Sequence, residues 1–374
     1  MAVATAPSTT DSATVFDHAE FKQHEQVVFC HDATTGLKAI IGIHNTTLGP
    51  ALGGTRMWNY ANDAEALRDV LRLSRGMTYK AAISGLNLGG GKAVIIGDAR
   101  SQKTPALMEA FGRFVDSLSG RYITAEDVGM STDDMVAVHR ATDHVTGIPI
   151  EMGGSGDPSS VTAYGVFCGM KAAAAFKWGN EDLKGKHVLV QGIGHVGETL
   201  VKHLTEAGAR VSVSDIYTDR IEHVQKTYGA QVVNVSDVYT SDMDIYAPCA
   251  LGATLNDKTI PSLKCAVVAG AANNQLAVES VHGTALKERG IIYAPDFLIN
   301  AGGLINVNSE IEGYDRAESL KRTEAIFKTT LAVLERAEKE GITPHQAALR
   351  QAEDRIARAA QTALEKNRNT LRAE

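Results

Sequence analysis

The chain has 374 residues, a formal net charge of -7, a pI near 6.0 and 44% apolar residues, too much polypeptide for one hydrophobic core, so two domains are expected. The acidic balance without a long basic run excludes a nucleic-acid footprint, and no apolar run is long enough to span a membrane. Cys30, Cys168, Cys249 and Cys265 lie far apart and form neither a C-x-x-C pair nor a disulfide framework, which points to a reducing cytoplasm, small-molecule partners and no metal site.

Met1 to Thr14, rich in Ala, Ser and Thr but without basic residues, reads as a loose tail rather than a targeting signal. Two strands follow, Gln26 to Cys30 and Leu37 to Ile43, with Thr34-Thr35-Gly36 turning the chain so that they can pair as a hairpin. The glycine-rich passage Gly49 to Gly54 is expected to lead into a helix over Asp63 to Met77, with Asn62 and Glu65 as a capping box and Leu67, Val70, Leu71 and Ser74 on one face. Lys80 and then Gly89-Gly90-Gly91-Lys92 come next, before a short strand Ala93 to Ile96. Thr104-Pro105 has the form of an N-cap followed by proline at the first helical position, and Met108, Phe111, Val115 and Leu118 supply that helix's buried stripe. A strand Tyr122 to Ala125 delivers Glu126 and Asp127 at its carboxyl end, and a short helix starts near Ser131.

Gly147 to Ser160 concentrates Gly, Pro and Ser and marks a hinge and domain boundary. Beyond it, apolar strands at Val188–Gln191, Val211–Ser214, Ile245–Ala247, Ala266–Ala269 and Ile291–Tyr293 alternate with helical patterns, which implies a parallel sheet covered on both faces with ligand beyond the strand ends. The remainder is helical: Leu320, Phe327, Leu331 and Leu334 form one stripe, and Leu349, Ile356 and Ala363 lie on a last helix after Thr343-Pro344.

The run Val188 to Gly197 reads as strand, glycine turn and helix start, the form that holds a dinucleotide pyrophosphate. Gly192 serves the tight turn, Gly194 the close approach of backbone to phosphate, and Gly197 the packing of helix on strand. The free N–H groups and positive end of the helix beginning near His195 face the phosphates. Asp215, at the end of the next strand, is placed to meet the adenosine ribose hydroxyls and to repel the extra phosphate of NADP, so the cofactor is read as NAD; the alternative is that Asp215 only caps the next helix.

Lys80 and Lys92 differ from surface lysines because glycines and apolar residues surround them. One suits a carboxylate anchor. Lys92, desolvated, suits a base working near neutrality, and the three glycines before it leave room for a substrate against the backbone. The other reading puts both lysines in solvent at strand ends. Asp127 is either a proton donor and acceptor or a helix cap.

The runs Gly49-Pro50-Ala51-Leu52-Gly53-Gly54-Thr55-Arg56-Met57, Gly76 to Lys80, Gly85 to Lys92, Ala125 to Gly129, Ala247 to Gly252 and Asn300 to Gly303 resemble, in order and over nearly the whole chain from about His24, the amino-acid dehydrogenases acting on glutamate, leucine, valine and phenylalanine. The leucine-type members are the most similar. The resemblance implies an α/β protein of two domains: an N-terminal substrate and oligomerisation domain, 1–147 plus about 345–374, and a Rossmann-type doubly wound NAD-binding domain, 148–344. The C-terminal helix returns to the first. It implies a homo-oligomer, octamer or dimer, with an N-terminal strand able to pair across subunits.

Carried over by motif, Lys80 would bind the substrate α-carboxylate, Lys92 would be the catalytic lysine and Asp127 its partner acid and base. Asn274, or its neighbour Asn273, would lie near nicotinamide and substrate, with Thr162 beside the nicotinamide amide. Gly192, Ile193, Gly194, His195, Val196, Gly197, Asp215, Cys249 and Ala250 would line the cofactor, and Leu52, Gly53, Gly54, Met77, Ala125, Thr146, Leu304 and Val307 the substrate. The implied reaction is reversible oxidative deamination: hydride leaves Cα for NAD, water activated by neutral Lys92 attacks the iminium carbon, and ammonia departs to leave a 2-oxo acid. Closure of the two domains at the hinge would control access of water. Glutamate-specific relatives carry lysine where Leu52 stands and serine where Val307 stands, so a glutamate side-chain carboxylate would be buried unpaired at a cost of several kcal/mol. Ala125 matches the leucine type and Leu304 the phenylalanine type. Leucine is expected first, with valine, isoleucine and phenylalanine overlapping, since one methylene is worth only about 1–3 kcal/mol. Gly197 takes a place where leucine-type relatives can carry Ala, a change expected to alter cofactor packing little. The competing readings are an NAD-dependent hydroxy-acid or carbon-chain dehydrogenase, a catalytically silent NAD sensor, and a structural oligomer.

Overall fold

The computed structural model describes residues 15–373; the tail read over Met1 to Thr14 lies outside them. The first half contains β1 (Gln26–Asp32), β2 (Leu37–Asn45), β3 (Ala51–Trp58), α1 (Asp63–Ile83), β4 (Gly89–Ile96), α2 (Pro105–Asp116), β5 (Tyr122–Glu126) and α3 (Thr132–His139). The strands form one sheet in the order β1-β2-β4-β3-β5. β1 and β2 make the expected antiparallel hairpin, its turn held by Asp32 Oδ1 accepting from the N–H groups of Thr34 and Thr35 at 2.9 and 3.0 Å. The remaining contacts are antiparallel for β2–β4 and parallel for β3–β4 and β3–β5.

Three expectations change in this half. Gly49 to Gly54 is not an irregular lead-in, because β3 starts at Ala51 and lies between two parallel neighbours; glycines hide the strand pattern where backbones crowd, and a Cβ on Gly53 would lie 1.7 Å from the Gly91 carbonyl oxygen. The helix expected to stop at Met77 runs on to Ile83, so Lys80 stands in its last turn. Its buried stripe continues through Thr78, Ala81 and Ala82, a polar and small set that weakens the apolar period. The triple glycine, finally, leaves no room for a substrate: a Cβ on Gly90 would lie 2.0 Å from Thr78 N, and one on Gly91 2.6 Å from the Tyr122 ring. Those glycines let α1 and Tyr122 press against β4, which is buried along nearly its whole length.

The second half runs α4 (Ser159–Trp178), β6 (His187–Gln191), α5 (His195–Glu206), β7 (Arg210–Ser214), α6 (Thr218–Tyr228), β8 (Gln231–Val232), β9 (Ile245–Pro248), β10 (Val267–Val268), α7 (Glu279–Glu288), β11 (Ile292–Tyr293), α8 (Asp296–Ile299), α9 (Gly302–Ile311), α10 (Arg316–Glu340) and α11 (Pro344–Ala373). Six parallel strands lie in the order β8-β7-β6-β9-β10-β11. The order reverses between β6 and β9, the crevice where doubly wound sheets take their ligands. β8 escaped the sequence reading because it is a two-residue, exposed edge strand. On α10 the buried line is Ser319, Thr323, Ile326, Thr330, Val333, Leu334 and Ala337, rotated from the expected stripe; Leu320 and Leu331 are half-buried, so hydroxyl-bearing side chains occupy the packed face.

α11 returns to the first sheet's helix, as expected. Its Arg355 donates to the carbonyl oxygens of Ala82, Leu86 and Gly85 at 3.0, 2.7 and 3.0 Å and to Asn87 Oδ1 at 2.9 Å. A cation on these carbonyls offsets the negative end of α1 just past Lys80.

Candidate active site

Lys92, midway along β4, and Asp127, one residue past β5, meet across the intervening β3, with Lys92 Nζ 2.7 Å from Asp127 Oδ2. Lys92 is 6% exposed, so the reading that put it in solvent is wrong. Asp127 does not cap α3; Ser131 does, accepting from Asp134 N. Burial raises the Asp127 carboxyl, but the Lys92 ammonium and Arg56 guanidinium outweigh it and hold the group below its ordinary range. Asp127 is therefore an ionised acceptor at neutral pH.

Arg56 has no role in the sequence reading although it stands in the Gly49–Met57 run. Its Nε donates to Asp127 Oδ2 at 3.1 Å and its Nη1 to Asp69 Oδ2 at 2.9 Å, and Asp69 Oδ2 also accepts from Tyr60 OH at 2.8 Å. The available signal was a guanidinium in an otherwise apolar strand, a charge that must find partners when buried.

Lys80 reaches across to the second half and donates to Asn300 Oδ1 at 2.7 Å. Asn300 is buried and in turn donates to Ala271 O at 3.0 Å and Asn273 Oδ1 at 2.7 Å. It too was quoted in a motif but given no task. Between the two asparagines left open, Asn273 is the one tied to Asn300, while Asn274 has left-handed backbone, φ 52°. Burial is the main influence on the Lys80 ammonium and pushes it down to about 8, with Lys92 adding to the fall and Asp296 opposing it.

Leu52, Leu304 and Val307 lie in one buried apolar cluster with Met77 packed against it. Ala125 pairs with Gly54 across β3 and β5, and a Cβ on Gly54 would come 2.9 Å from the Asp127 Cβ. Gly53 O accepts from the buried Tyr122 hydroxyl at 2.6 Å. Thr146 is tied to Thr124 O by its N–H and hydroxyl at 2.8 and 3.2 Å. A cavity of about 640 Å³ opens between α1 and the segment from Asn273 to Ser280; Arg72, Arg75 and Tyr79 line it, and Lys92 and Asp127 do not.

At the end of β6 the tight turn expected at Gly192 is present. Gly192 has φ 93°, with Ala250 so close that a Cβ would lie 2.6 Å from its Cβ. Around Gly194 only Arg220 Nη1 comes within 4 Å of such an atom, at 3.8 Å, leaving a cradle open to a phosphate. Asp215 accepts from Ile193 N at 2.8 Å and Tyr217 N at 3.0 Å; α6 has no side-chain cap, so the capping alternative falls. Gly197 needs a correction. A Cβ there would sit 2.0 Å from Gly192 O, so alanine cannot enter without displacing the turn. Val196 is half-buried and His195 exposed, the latter 3.3 Å from Asp157 Oδ2. Cys249 N donates to Gln191 O at 2.7 Å, and the Thr162 hydroxyl donates to Pro158 O at 3.0 Å while facing Gly303. The open cradle at Gly194 and the Asp215 carboxylate at the end of the next strand fit a dinucleotide.

The profile of the Glu/Leu/Phe/Val dehydrogenase dimerisation domain matches residues 24–144, and that of the Glutamate/Leucine/Phenylalanine/Valine dehydrogenases matches 153–219 and 216–363. The chain belongs to this dehydrogenase family. Relatives in the Glu/Leu/Phe/Val dehydrogenase family include the leucine dehydrogenase of Bacillus cereus, 54% identical over 92% of this chain and 93% of that one, and the phenylalanine dehydrogenase of Thermoactinomyces intermedius, 48% identical over 91% and 94%. The crystal structure of L-tryptophan dehydrogenase from Nostoc punctiforme, 48% identical, matches with a TM-score of 0.81 over 90% of this chain and 97% of that one. As a Glu/Leu/Phe/Val dehydrogenase the protein is an amino-acid dehydrogenase that works with a nicotinamide cofactor, which removes the hydroxy-acid, silent-sensor and structural readings. Among the described residues no helix is long and apolar enough to cross a membrane.

Proposed function

We propose that the protein catalyses the reversible NAD-dependent oxidative deamination of branched-chain L-amino acids, L-leucine first and valine and isoleucine also, to 2-oxo acids and ammonia. The observation that carries this is the Lys92–Asp127 contact of 2.7 Å, with Lys80 nearby and reaching Asn300 across to the second half. Lys80, an ammonium in a dry setting, binds the α-carboxylate. Lys92 and Asp127 handle the protons: neutral Lys92 activates the attacking water, and Asp127, braced by Arg56, shuttles the proton to the departing nitrogen. A bound nicotinamide would supply the hydride acceptor; Gly192, Gly194 and the start of α5 would hold its pyrophosphate, and Asp215 would favour NAD over NADP by charge.

Leucine is supported by Leu52, Leu304 and Val307, an apolar set without a partner for a second carboxylate, and by the higher identity to the leucine-acting relatives. The phenylalanine- and tryptophan-acting relatives and Leu304 favour a second reading, a preference for an aromatic amino acid. The domains divide as 1–147 plus about 345–374, and 148–344, and open at the Gly147–Ser160 segment. The protein works in the cytoplasm as a homo-oligomer, octamer or dimer, for which the match to a dimerisation domain and the outer edge of β1, unpaired among the described residues, speak. Initial rates over Leu, Val, Ile, Phe, Trp and Glu with NAD and with NADP test the reading. The expected order puts leucine with NAD first and glutamate last; a higher kcat/KM for phenylalanine or tryptophan supports the second reading, and a preference for NADP removes the role given to Asp215.

A further inference from the structure

Glu310 stands in the last turn of α9, the negative end of a helix, where a carboxylate is disfavoured. It is compensated by neutral donors from a single distant segment. Gly147 N donates to both of its oxygens, at 3.0 and 2.9 Å, Ser155 N donates to Oε1 at 2.8 Å, and the Ser155 hydroxyl makes a further short bond to Oε1. Gly147 and Ser155 are the two feet of a small loop that also closes on itself, Gly153 N donating to Ile150 O at 2.9 Å and Gly154 N to Pro149 O at 3.0 Å. The loop's own bonds fold it; Glu310 is what fastens it to α9.

Each foot leads to a different part of the site. Before Gly147, Thr146 is bonded twice to Thr124 O on β5, the strand that presents Asp127. After Ser155 the chain enters α4, which carries Thr162. Glu310 itself is one helical turn past Val307 and two past Leu304, both in the buried cluster with Leu52. The strand of the candidate acid, the helix on the nicotinamide side and the helix of the side-chain pocket thus converge on one carboxylate. The chain passes from the first sheet to the second through this loop, in and just after which Gly147, Gly153 and Gly156 have positive φ, 79°, 88° and 63°.

We propose that Glu310 is the pivot of the cleft, a positioning residue whose carboxylate holds both feet of the 147–156 loop and so favours the closed arrangement that presents the amino acid to the cofactor. This rests on the reading of the cleft as the site for both. Loss of the latch lowers the fraction of protein already closed, and an affinity scales with that fraction. Saturating substrate restores closure.

Glu310→Gln keeps the length and removes the charge, turning an amide N–H toward donors. For L-leucine, or whichever amino acid the parent turns over best, the expected KM is about tenfold higher, with kcat within about threefold and the KM for NAD within about twofold, because the dinucleotide lies on one sheet alone. Glu310→Asp, which retains the charge, recovers part of the loss. An unchanged amino-acid KM in Glu310→Gln overturns the proposal, as does a fall in kcat with both KM values raised alike that tracks a lowered unfolding temperature. A parent that oxidises no amino acid would instead sink the reading of the site, and the pivot is then judged by small-angle scattering: Glu310→Gln with a larger radius of gyration than the parent supports it, and equal radii overturn it.

Discussion

Burial holds the Lys80 ammonium at a pKa of about 8, against an ordinary 10.5. The gap of roughly 2.5 units corresponds to about 3 kcal/mol by which the site disfavours its own positive charge, a penalty that a bound carboxylate offsets. In the free protein Lys80 therefore sheds its proton as pH rises through about 8, and a ligand needing the charge loses its anchor above that point. The cleanest probe is 4-methylpentanoate, which has leucine's carbon skeleton and carboxylate but no nitrogen, so that neither ammonia chemistry nor the amine titration enters. Its competitive inhibition constant against L-leucine should be level below pH 8 and rise about tenfold per unit above it, since one proton is involved. Lys80→Gln should bind the inhibitor weakly at every pH with no break near 8. Lys80→Arg, which stays charged throughout, should move the break out of range. A parental constant that stays level to pH 10, or a Lys80→Gln constant equal to the parent's, refutes the role given to this ammonium.

Asp127→Asn should lower kcat by about 10²- to 10⁴-fold, the usual worth of a positioned acid–base group, and reduce the urea midpoint, because Lys92 and Arg56 lose a shared counter-charge; an unchanged kcat would remove it from the chemistry. Gly197→Ala, forced against Gly192 O, should cost about 1–3 kcal/mol of stability and raise the KM for NAD while leaving that for the amino acid alone, with an unaltered NAD KM as the contrary result. His44 bonds Thr78 Oγ1 at 2.8 Å, and burial, aided by neighbouring His24, pulls its imidazole down to about 4 from 6.5. Between those values the unfolded chain takes up a proton that the folded one refuses, so stability should be intact above pH 6.5 and fall by about 3 kcal/mol as pH drops to 4. Urea unfolding of His44→Gln should show a flatter acid limb.

What was legible in the sequence was whatever a local pattern or a quoted motif carries. The strand, glycine turn and helix around Gly192 declare themselves because the turn at Gly192 and the helix contact at Gly197 each need a missing Cβ. Asp127 was found because Tyr122 to Ala125 is an unmistakable buried strand and the acid stands at its end. Lys80 was misplaced outside α1, since Thr78 and the alanines beneath it blur the helical period, and β3 was lost among glycines whose purpose, backbone approach to β4 and β5, is visible only once the strands are side by side. Arg56, Asn300 and Glu310 act through partners tens to hundreds of residues away: Arg56 to Asp127, Asn300 to Lys80, Glu310 to Gly147. No local spacing encodes such pairings. The triple glycine shows the opposite error, a function inferred where close packing of α1, Tyr122 and neighbouring backbone against β4 is the explanation.

In the proposed reaction Lys92 and Asp127 manage the protons of a substrate nitrogen. Reduction of 4-methyl-2-oxopentanoate by NADH, followed with and without ammonium and with the products separated, addresses that claim directly. NADH should be consumed only when ammonium is present, with L-leucine formed one for one; consumption without ammonium, giving the 2-hydroxy acid, would contradict it.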